Sequence, residues 1–467
     1  MSSRFTRQVI LAAISSLLWT ATTQTAPALD ETDDDTTYDV EFAGRKVKQI
    51  ALGYFHVCTI LEDDAVKCWG QNDKGQLGLG DTRSRGAQAS EMGANLPDVK
   101  LPTTVGTVVK VVGGGWHTCA LFSSGSVSCW GEGVNGQLGS GATTNLADTA
   151  ATTPDKNPLV NLGTGFVAQD ISAGGRFTCA LSTAGAVRCW GLNATGQLGI
   201  GNTTNMGVSA QTIGDNLMSV NLGTGRTAKR VVGGWQHTCA ILDNDSLKCW
   251  GEGVNGKLGS GTSSIGTRPT DMGDALRPVN LGDGVIVKSV ALNYSHTCAL
   301  LDSGRIKCWG ANGRGELGQG DTNERGSNAA ATMGNALAPV KLGAGNLAAT
   351  IVATGYYASC VRMMNNAVKC WGAQDNAHVG SEGNTNLGIR AEDMGESLPF
   401  VDLGRLAQVK QLVMNWSSVC ALLNTGKAKC WGSNTSGVLG HGTNNASQRV
   451  GNQPGQMGDA LPFSLVD

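Results

Sequence analysis

The chain has 467 residues, with 35 basic and 37 acidic side chains and a pI near 6.3. Such a balance excludes a general nucleic-acid binder, because that class carries a basic face or tail. Its 67 glycines recur at fixed places, which indicates required turns and excludes a flexible low-complexity chain.

Residues 1–28 are typical of a secretory signal peptide. Arg4 and Arg7 precede an apolar run over residues 9–21, and Ala26-Pro27-Ala28 supplies a small-residue cleavage site. The run is shorter than the roughly 20 residues of a membrane-spanning helix. An uncleaved amphipathic start is the alternative. We therefore expect a secreted or extracellular protein without a membrane span.

Residues 29–39 predict an acidic linker. Five carboxylates lie between Asp30 and Asp35, and a like-charged run of this kind cannot bury itself. A calcium site is the alternative there. The remaining residues, 40–467, form one domain built from repeats.

The unit of the repeat is the stretch His296–Thr322, HTCALLDSGRIKCWGANGRGELGQGDT. Near copies begin at His56, His117, Phe177, His237, Ala358 and Ser418. Each copy has two cysteines ten positions apart, and the first cysteines of successive copies are 59 to 62 residues apart. All 14 cysteines belong to this scheme: Cys58, Cys68, Cys119, Cys129, Cys179, Cys189, Cys239, Cys249, Cys298, Cys308, Cys360, Cys370, Cys420 and Cys430. Seven copies predict a repeat architecture.

Within one repeat the pattern predicts strands over residues 288–292, 297–301 and 305–309. The last two are joined by Asp302-Ser303-Gly304, a three-residue hairpin whose last residue must adopt the left-handed backbone region. Residues that tolerate this conformation stand there in every copy: Asp64, Gly125, Gly185, Asp245, Gly304, Asn366 and Gly426.

That turn places Cys298 directly opposite Cys308 on neighbouring strands, within the separation that a disulfide requires. With an export signal, seven such hairpins favour seven disulfides. A metal site is the alternative, because His-x-Cys recurs in four copies. A structural zinc site needs four ligands, whereas one repeat supplies at most three. We therefore expect no metal and no cofactor.

A glycine-punctuated loop follows each Cys-Trp-Gly, and a second signature of the type Met92-Gly93 leads into a further short strand. The second repeat has lost the Met-Gly and keeps Pro158 to Gly163. Each period therefore yields four strands, the content of a propeller blade.

The chain resembles the regulator of chromosome condensation family in its Gly-x-x-His-Thr opening, its Trp-Gly and its Asn-x-x-Gly-Gln-Leu-Gly loop, best seen over Asn72–Asp81. The resemblance covers nearly all of residues 40–467. It implies an all-β fold, a seven-bladed β-propeller of four-stranded blades, here with one intra-blade hairpin disulfide per blade. The family repeat does not generally carry both cysteines. The resemblance also extends to secreted bacterial propellers, including a β-lactamase inhibitory protein.

Histidines recur at one position of the repeat, and we interpret them as structural because catalysis seldom needs four equivalent copies. His378 and His441 stand in glycine loops and are expected to be exposed. The tryptophans that follow each second cysteine predict packing between blades. Six further aromatic residues are expected near strand ends, where they pack together or form a ring of aromatics for recognition: Tyr54, Trp116, Trp235, Tyr294, Tyr356 and Trp416.

Two copies of the outer strand compete for ring closure, residues 40–42 and residues 461–466. We predict that the C-terminal copy fills the place in the first blade or lies beside the N-terminal strand.

We expect a monomeric binding scaffold, secreted or surface-associated, for a protein or glycan partner; one form is an inhibitor of an extracellular enzyme. The alternative is a regulator of a small GTPase that resembles a guanine-nucleotide exchange factor, which requires reduced cysteines inside the cell. An enzyme is not expected, because no Gly-x-Ser-x-Gly, His-Glu-x-x-His or phosphate-binding loop occurs. A propeller lyase or hydrolase would need an acidic or histidine cluster at one mouth of the channel.

Overall fold

The computed structural model describes residues 44–343, 348–405, 407–443 and 448–466. The predicted signal peptide, the acidic linker and the strand at residues 40–42 lie outside the described residues.

Seven antiparallel sheets, one from each repeat, follow each other along the chain, and we number them blades 1 to 7. The first strands are Val47–Leu52, Val108–Gly113, Ala168–Ala173, Ala228–Gly233, Val287–Leu292, Ala349–Thr354 and Val409–Met414. The second strands are His56–Leu61, His117–Phe122, Phe177–Ser182, His237–Leu242, His296–Leu301, Ala358–Met363 and Ser418–Leu423. The third strands are Val66–Gly70, Val127–Gly131, Val187–Gly191, Leu247–Gly251, Ile306–Gly310, Val368–Gly372 and Ala428–Ser433. This confirms the predicted all-β, seven-bladed propeller.

The outermost strands are shorter than the first three. Blade 6 has the two-residue strand Phe400–Val401 at this place, and blades 1, 3 and 7 have the single pairs Lys67–Asp98, Arg188–Ser219 and Lys429–Phe463. The two-residue strand Arg449–Val450 of blade 7 instead pairs with the end of the third strand, at Gly432 and Ser433. The Val at this position still bonds to the third strand, as when the Val99 nitrogen donates to the Val66 carbonyl at 2.7 Å. Short, interrupted edges of this kind offer little backbone for pairing with another chain.

The loops carry one α-helical turn, Ala329–Thr332, and short 3-10 turns: Ala89–Glu91, Gly93–Asn95, Pro154–Lys156, Ala210–Thr212, Gly214–Asn216, Val254–Gly256, Pro269–Asp271, Gly334–Ala336, Ala391–Asp393, Gly395–Ser397, Thr435–Gly437 and Gly458–Ala460. Among the described residues, no helix has the length and apolar character that crossing a bilayer requires.

The hairpin between second and third strands has the predicted register. Cys298 faces Cys308 and Leu300 faces Ile306, and the last turn residue is left-handed in all seven blades, with φ between 64° and 80°. Each blade forms its disulfide, with Cα atoms 4.0 to 4.1 Å apart. No free cysteine occurs among the described residues.

The tryptophans after the second cysteines pack between blades, as predicted. All seven are fully buried. Each indole Nε1 donates to a main-chain carbonyl of the preceding blade, as from Trp130 to Gln76 at 3.1 Å and from Trp371 to Glu316 at 3.0 Å. Burial of these large side chains contributes strongly to the packing of one blade against the next.

Blade 7 contacts blade 1 through the same bonds that join the other neighbours. The Trp69 indole donates to the Val438 carbonyl at 2.9 Å, and the Gly93 nitrogen donates to the Leu465 carbonyl at 2.9 Å. These bonds join the two ends of the described ring.

The prediction that the C-terminal copy fills the outer place of the first blade is wrong, and the alternative place beside the strand at residues 40–42 lies outside the described residues. Phe463 pairs with Lys429 in blade 7, while Asp98 pairs with Lys67 in blade 1. The physical reason is that every repeat supplies its own outermost strand, so residues 461–466 complete the repeat to which they belong.

Candidate functional site: an aromatic mouth of the central channel

The loops between first and second strands bring aromatic side chains together at one end of the channel. Five blades place an aromatic residue two positions before the second strand: Tyr54, Trp235, Tyr294, Tyr356 and Trp416. Trp116 lies one position later, immediately before His117, as do Phe55 and Tyr357. Trp116 lies next to a strand end, as expected from the sequence, whereas Phe55 and Tyr357 were missed, although their position before the repeated strand was a usable signal. We call these eight residues the aromatic mouth.

The rings contact each other across the channel. Tyr54 of blade 1 stacks on Trp235 of blade 4 with centroids 4.5 Å apart, and Tyr356 stacks on Trp416 at 3.6 Å. Tyr54 also lies 5.1 Å from Trp416. Tyr54 is buried, while the other seven rings are partly exposed. The cluster therefore closes this end of the channel and still presents aromatic surface to solvent.

Blades 2 and 3 have glycine where the other five have an aromatic ring, and these glycines make room for it. A Cβ atom at Gly175 would lie 2.3 Å from Cε3 of Trp235. One at Gly115 would lie 3.4 Å from Cζ3 of the same indole. The large ring of blade 4 thus lies over two blades that have no side chain there.

Hydrogen bonds between blades fix the main chain beneath the mouth. The Tyr54 nitrogen donates to Gly114, the Gly115 nitrogen to Gly175 and the Trp235 nitrogen to Asn293, at 2.8 to 3.2 Å. Two side-chain amides continue the series, from Asn293 to the Thr354 carbonyl at 3.0 Å and from Asn415 to the Gly53 carbonyl at 2.7 Å. A small cavity of about 170 Å³, lined largely by glycines, lies among these strand ends. The rings therefore stand on a rigid support.

Ion pairs surround the mouth. Arg176 lies 3.1 Å from Glu132 and 4.8 Å above the Trp116 ring. Arg314 of blade 5 lies 2.6 Å from Asp375 of blade 6. Burial raises the pKa of the Tyr294 and Tyr356 hydroxyls, so both stay neutral at physiological pH. The mouth is an apolar, neutral centre within a charged rim, an arrangement typical of binding surfaces.

The repeated histidines are structural, as predicted. His56, His117, His237 and His296 are fully buried. The Thr118 hydroxyl donates to the Gln76 carbonyl at 2.8 Å, so it accepts from Nε2 of His56 at 2.9 Å. Burial lowers the pKa of His56 to about 4. These histidines are neutral links between blades.

The expectation that His378 and His441 are exposed is wrong. Both are buried, because the loop position that seemed free lies against the next blade. Burial lowers the pKa of each to about 4. Within the described part of the chain, no group of three or more His, Cys, Asp or Glu side chains could hold a metal ion.

Comparison with known proteins places the chain among RCC1-like propellers. The model of the RCC1-like domain matches residues 17–346, and that of the regulator of chromosome condensation (RCC1) repeat matches residues 409–438. The ultraviolet-B receptor UVR8 of Arabidopsis thaliana is 28% identical over 285 residues, which cover 60% of this chain and 57% of the receptor. The probable E3 ubiquitin-protein ligase HERC4 of Mus musculus is 29% identical over 330 residues, 61% of this chain and 29% of the ligase.

Solved structures agree in fold. Human WBSCR16 matches with a TM-score of 0.60 and 20% identity, over 84% of this chain and 96% of that one. Prp20p of Saccharomyces cerevisiae matches with a TM-score of 0.57 and 18% identity, over 85% of this chain and 84% of Prp20p. The domain match alone covers more than half of the sequence. The chain belongs to the RCC1-like domain family.

Proposed function

We propose that this protein is a secreted or surface-associated scaffold, without catalytic activity of its own, that binds a protein partner through the aromatic mouth. One form of this function is inhibition of an extracellular enzyme by covering its active site. The chain spans about half the length of the plant receptor and less than a third of the ligase that it matches. The activities of those full-length proteins are therefore not part of the proposed function.

The aromatic mouth carries the proposal. Four of the five tyrosines in the sequence belong to it. Aromatic side chains dominate the energy of protein interfaces, because each buries a large area at a small cost in conformational entropy. A core-only role would bury all eight rings, whereas seven remain partly exposed.

The disulfides support a place outside the cytosol. Seven bridged hairpins are typical of proteins in an oxidising compartment, in keeping with the predicted signal peptide at residues 1–28. An exchange factor inside the cell would need these cysteines reduced. The likeness to Prp20p, whose solved structure is described with its binding to Gsp1p and histones, is a likeness of fold and does not favour that alternative.

The test compares three forms of the purified propeller on a solid support: wild type, Trp416→Ala and Phe400→Ala. Phe400 is the matched control, since it is 54% exposed on an outer strand of blade 6. Each form is incubated with the extracellular proteins of the organism that produces the propeller, and retained proteins are quantified by mass spectrometry.

We expect at least one protein to be retained by wild type and Phe400→Ala and reduced at least tenfold by Trp416→Ala. Equal retention on all three supports would contradict the proposal. A parallel glycan array distinguishes the glycan alternative, since glycan binding lost in Trp416→Ala, without a retained protein, would replace the protein partner.

A further inference from the structure

One loop position differs chemically from blade to blade although its main chain is fixed. It is the residue that precedes the Leu or Val of the glycine-punctuated loop: Gln76, Gln137, Gln197, Lys257, Glu316, His378 and Val438. Its main-chain carbonyl accepts a hydrogen bond from the indole of the next blade. In blade 4, for example, the Lys257 carbonyl accepts from Nε1 of Trp309 at 3.0 Å. All seven side chains are buried. The seven blades therefore place side chains of different charge and polarity at the same position of the fold, beside the aromatic mouth.

Blade 4 shows what an ammonium group does at this place. Nζ of Lys257 donates to the Glu252 carboxylate and, at 3.1 Å, to the carbonyl of Tyr294 in the next blade. The cation is almost fully buried and yet paired. Blade 4 is thus an example, within this chain, of a lysine ammonium group held between a carboxylate and the main-chain carbonyl of an aromatic residue.

Blade 5 has the opposite charge at the same place. Glu316 replaces the lysine, and Ala311 stands where blade 4 has Glu252. Oε2 of Glu316 accepts from the Arg314 nitrogen at 2.8 Å, whereas Oε1 is buried without a hydrogen-bond partner among the described residues. Burial raises the pKa of this carboxyl group. A buried acceptor without a donor destabilises the fold, and a ligand that donates a hydrogen bond to it removes this penalty.

A cavity of about 430 Å³ adjoins Glu316. Its lining includes Asn255, Glu324 and the Tyr357 ring of the aromatic mouth. Arg314 also lines it, but its guanidinium is paired with Asp375 at 2.6 Å. Two carboxylates and a tyrosine ring favour a cation there.

We propose that this cavity, the Glu316 pocket, receives the ammonium group of a lysine from the protein partner. The proposal rests on the proposed function, since the partner is the protein held by the aromatic mouth. Lysine is chosen over arginine because blade 4 accommodates a compact ammonium at the equivalent place, and the planar guanidinium has different geometry.

The test uses Nα-acetyl-lysine methylamide as the probe, with the arginine and norleucine derivatives for comparison. Binding is measured by saturation-transfer NMR on the intact protein. The variant is Glu316→Gln, which introduces the residue that blades 1 to 3 carry at this position, so folding should be preserved and is checked by thermal unfolding. Glu62→Gln, an exposed residue in a hairpin turn, is the matched control.

We expect the lysine derivative to bind wild type and Glu62→Gln at least tenfold more tightly than Glu316→Gln, and the norleucine derivative to bind none of them. Equal binding to wild type and Glu316→Gln, or no binding to wild type, overturns the proposal. Tighter binding of the arginine derivative overturns the choice of lysine. None of these outcomes depends on partner capture by Trp416, so the two proposals fail separately.

Discussion

Trp235 of blade 4 lies over Gly175 of blade 3, so close that a Cβ atom at Gly175 would stand 2.3 Å from its ring and 2.6 Å from its carbonyl oxygen. The absence of a side chain in one blade therefore decides where the largest side chain of the next one lies. This relationship sets the shape of the aromatic mouth.

Replacing Gly175 with Ala is expected to displace the Trp235 indole and to lower the free energy of unfolding by about 1–3 kcal/mol, the usual cost of overpacking. Urea unfolding gives the stability, and the tryptophan emission maximum reports the altered ring environment. Gly313→Ala is the control, since nothing lies within 4 Å of a Cβ atom there. Equal effects of the two substitutions would show that Gly175 does not position Trp235.

The buried histidines predict acid sensitivity. Burial lowers the pKa of His56 to about 4 and that of His117 and His296 to about 3, from an ordinary value of 6.5. The unfolded chain therefore binds protons that the folded chain does not. The stability contributed by the neutral form is complete above pH 6.5 and is lost as the pH falls toward the folded pKa, by about 1.4 kcal/mol per histidine for each pH unit.

Melting temperatures measured between pH 7.5 and 4.5 check this dependence. His56→Phe isolates the histidine from the carboxylates, because Phe177 occupies the equivalent position in blade 3. We expect a shallower loss of stability on acidification in this variant. An unchanged slope would assign the acid sensitivity to other groups.

Each blade disulfide is expected to add to the stability of the folded protein. Each one closes a loop between cysteines ten positions apart, as Cys298 and Cys308, which the chain-entropy model equates with about 2–3 kcal/mol. We expect the double variant Cys298→Ala/Cys308→Ala to fold with a lower urea midpoint. Thiol titration of the unreduced wild type should find no reactive thiol, and 14 reactive thiols would contradict the disulfides. Treatment with a metal chelator should leave the melting temperature unchanged.

The C-terminal segment predicts a cost for truncation. The Leu465 carbonyl accepts from Gly93 of blade 1, and its nitrogen donates to Gly440 of blade 7, both at 2.9 Å. Deleting residues 461–467 should lower the melting temperature by several degrees. Leu465→Ala keeps both main-chain bonds, and its side chain is 40% exposed, so it should melt near wild type. An unchanged melt of the truncated chain would reject a role in joining the blades.

Local rules made the architecture predictable from the sequence. The left-handed residue at positions such as Asp64 and Gly304 fixes the hairpin, the hairpin fixes the register, and the register brings the cysteines together. Each step depends on neighbours in the chain, so seven copies of the pattern predicted the blade and its disulfide. The interpretation of the repeated tryptophans as packing residues followed from the same regularity.

The candidate site was only partly predictable. The sequence showed several aromatic residues near strand ends, but it did not single out Phe55 and Tyr357, and its pattern led to the wrong expectation that His378 is exposed. Whether a ring packs, lies over a glycine or faces solvent depends on the neighbouring blade, which is some 60 residues away in the chain.

The sequence by itself determined the repeat, the blade and the disulfide-linked hairpin, because these follow from turns and strand alternation within short segments. Only the tertiary structure decided which aromatic rings meet across the channel, that residues 461–466 complete blade 7, and that Glu316 has a buried oxygen without a donor. The physical reason is that these features arise from contacts between blades, where a conserved backbone holds side chains that differ from one copy to the next.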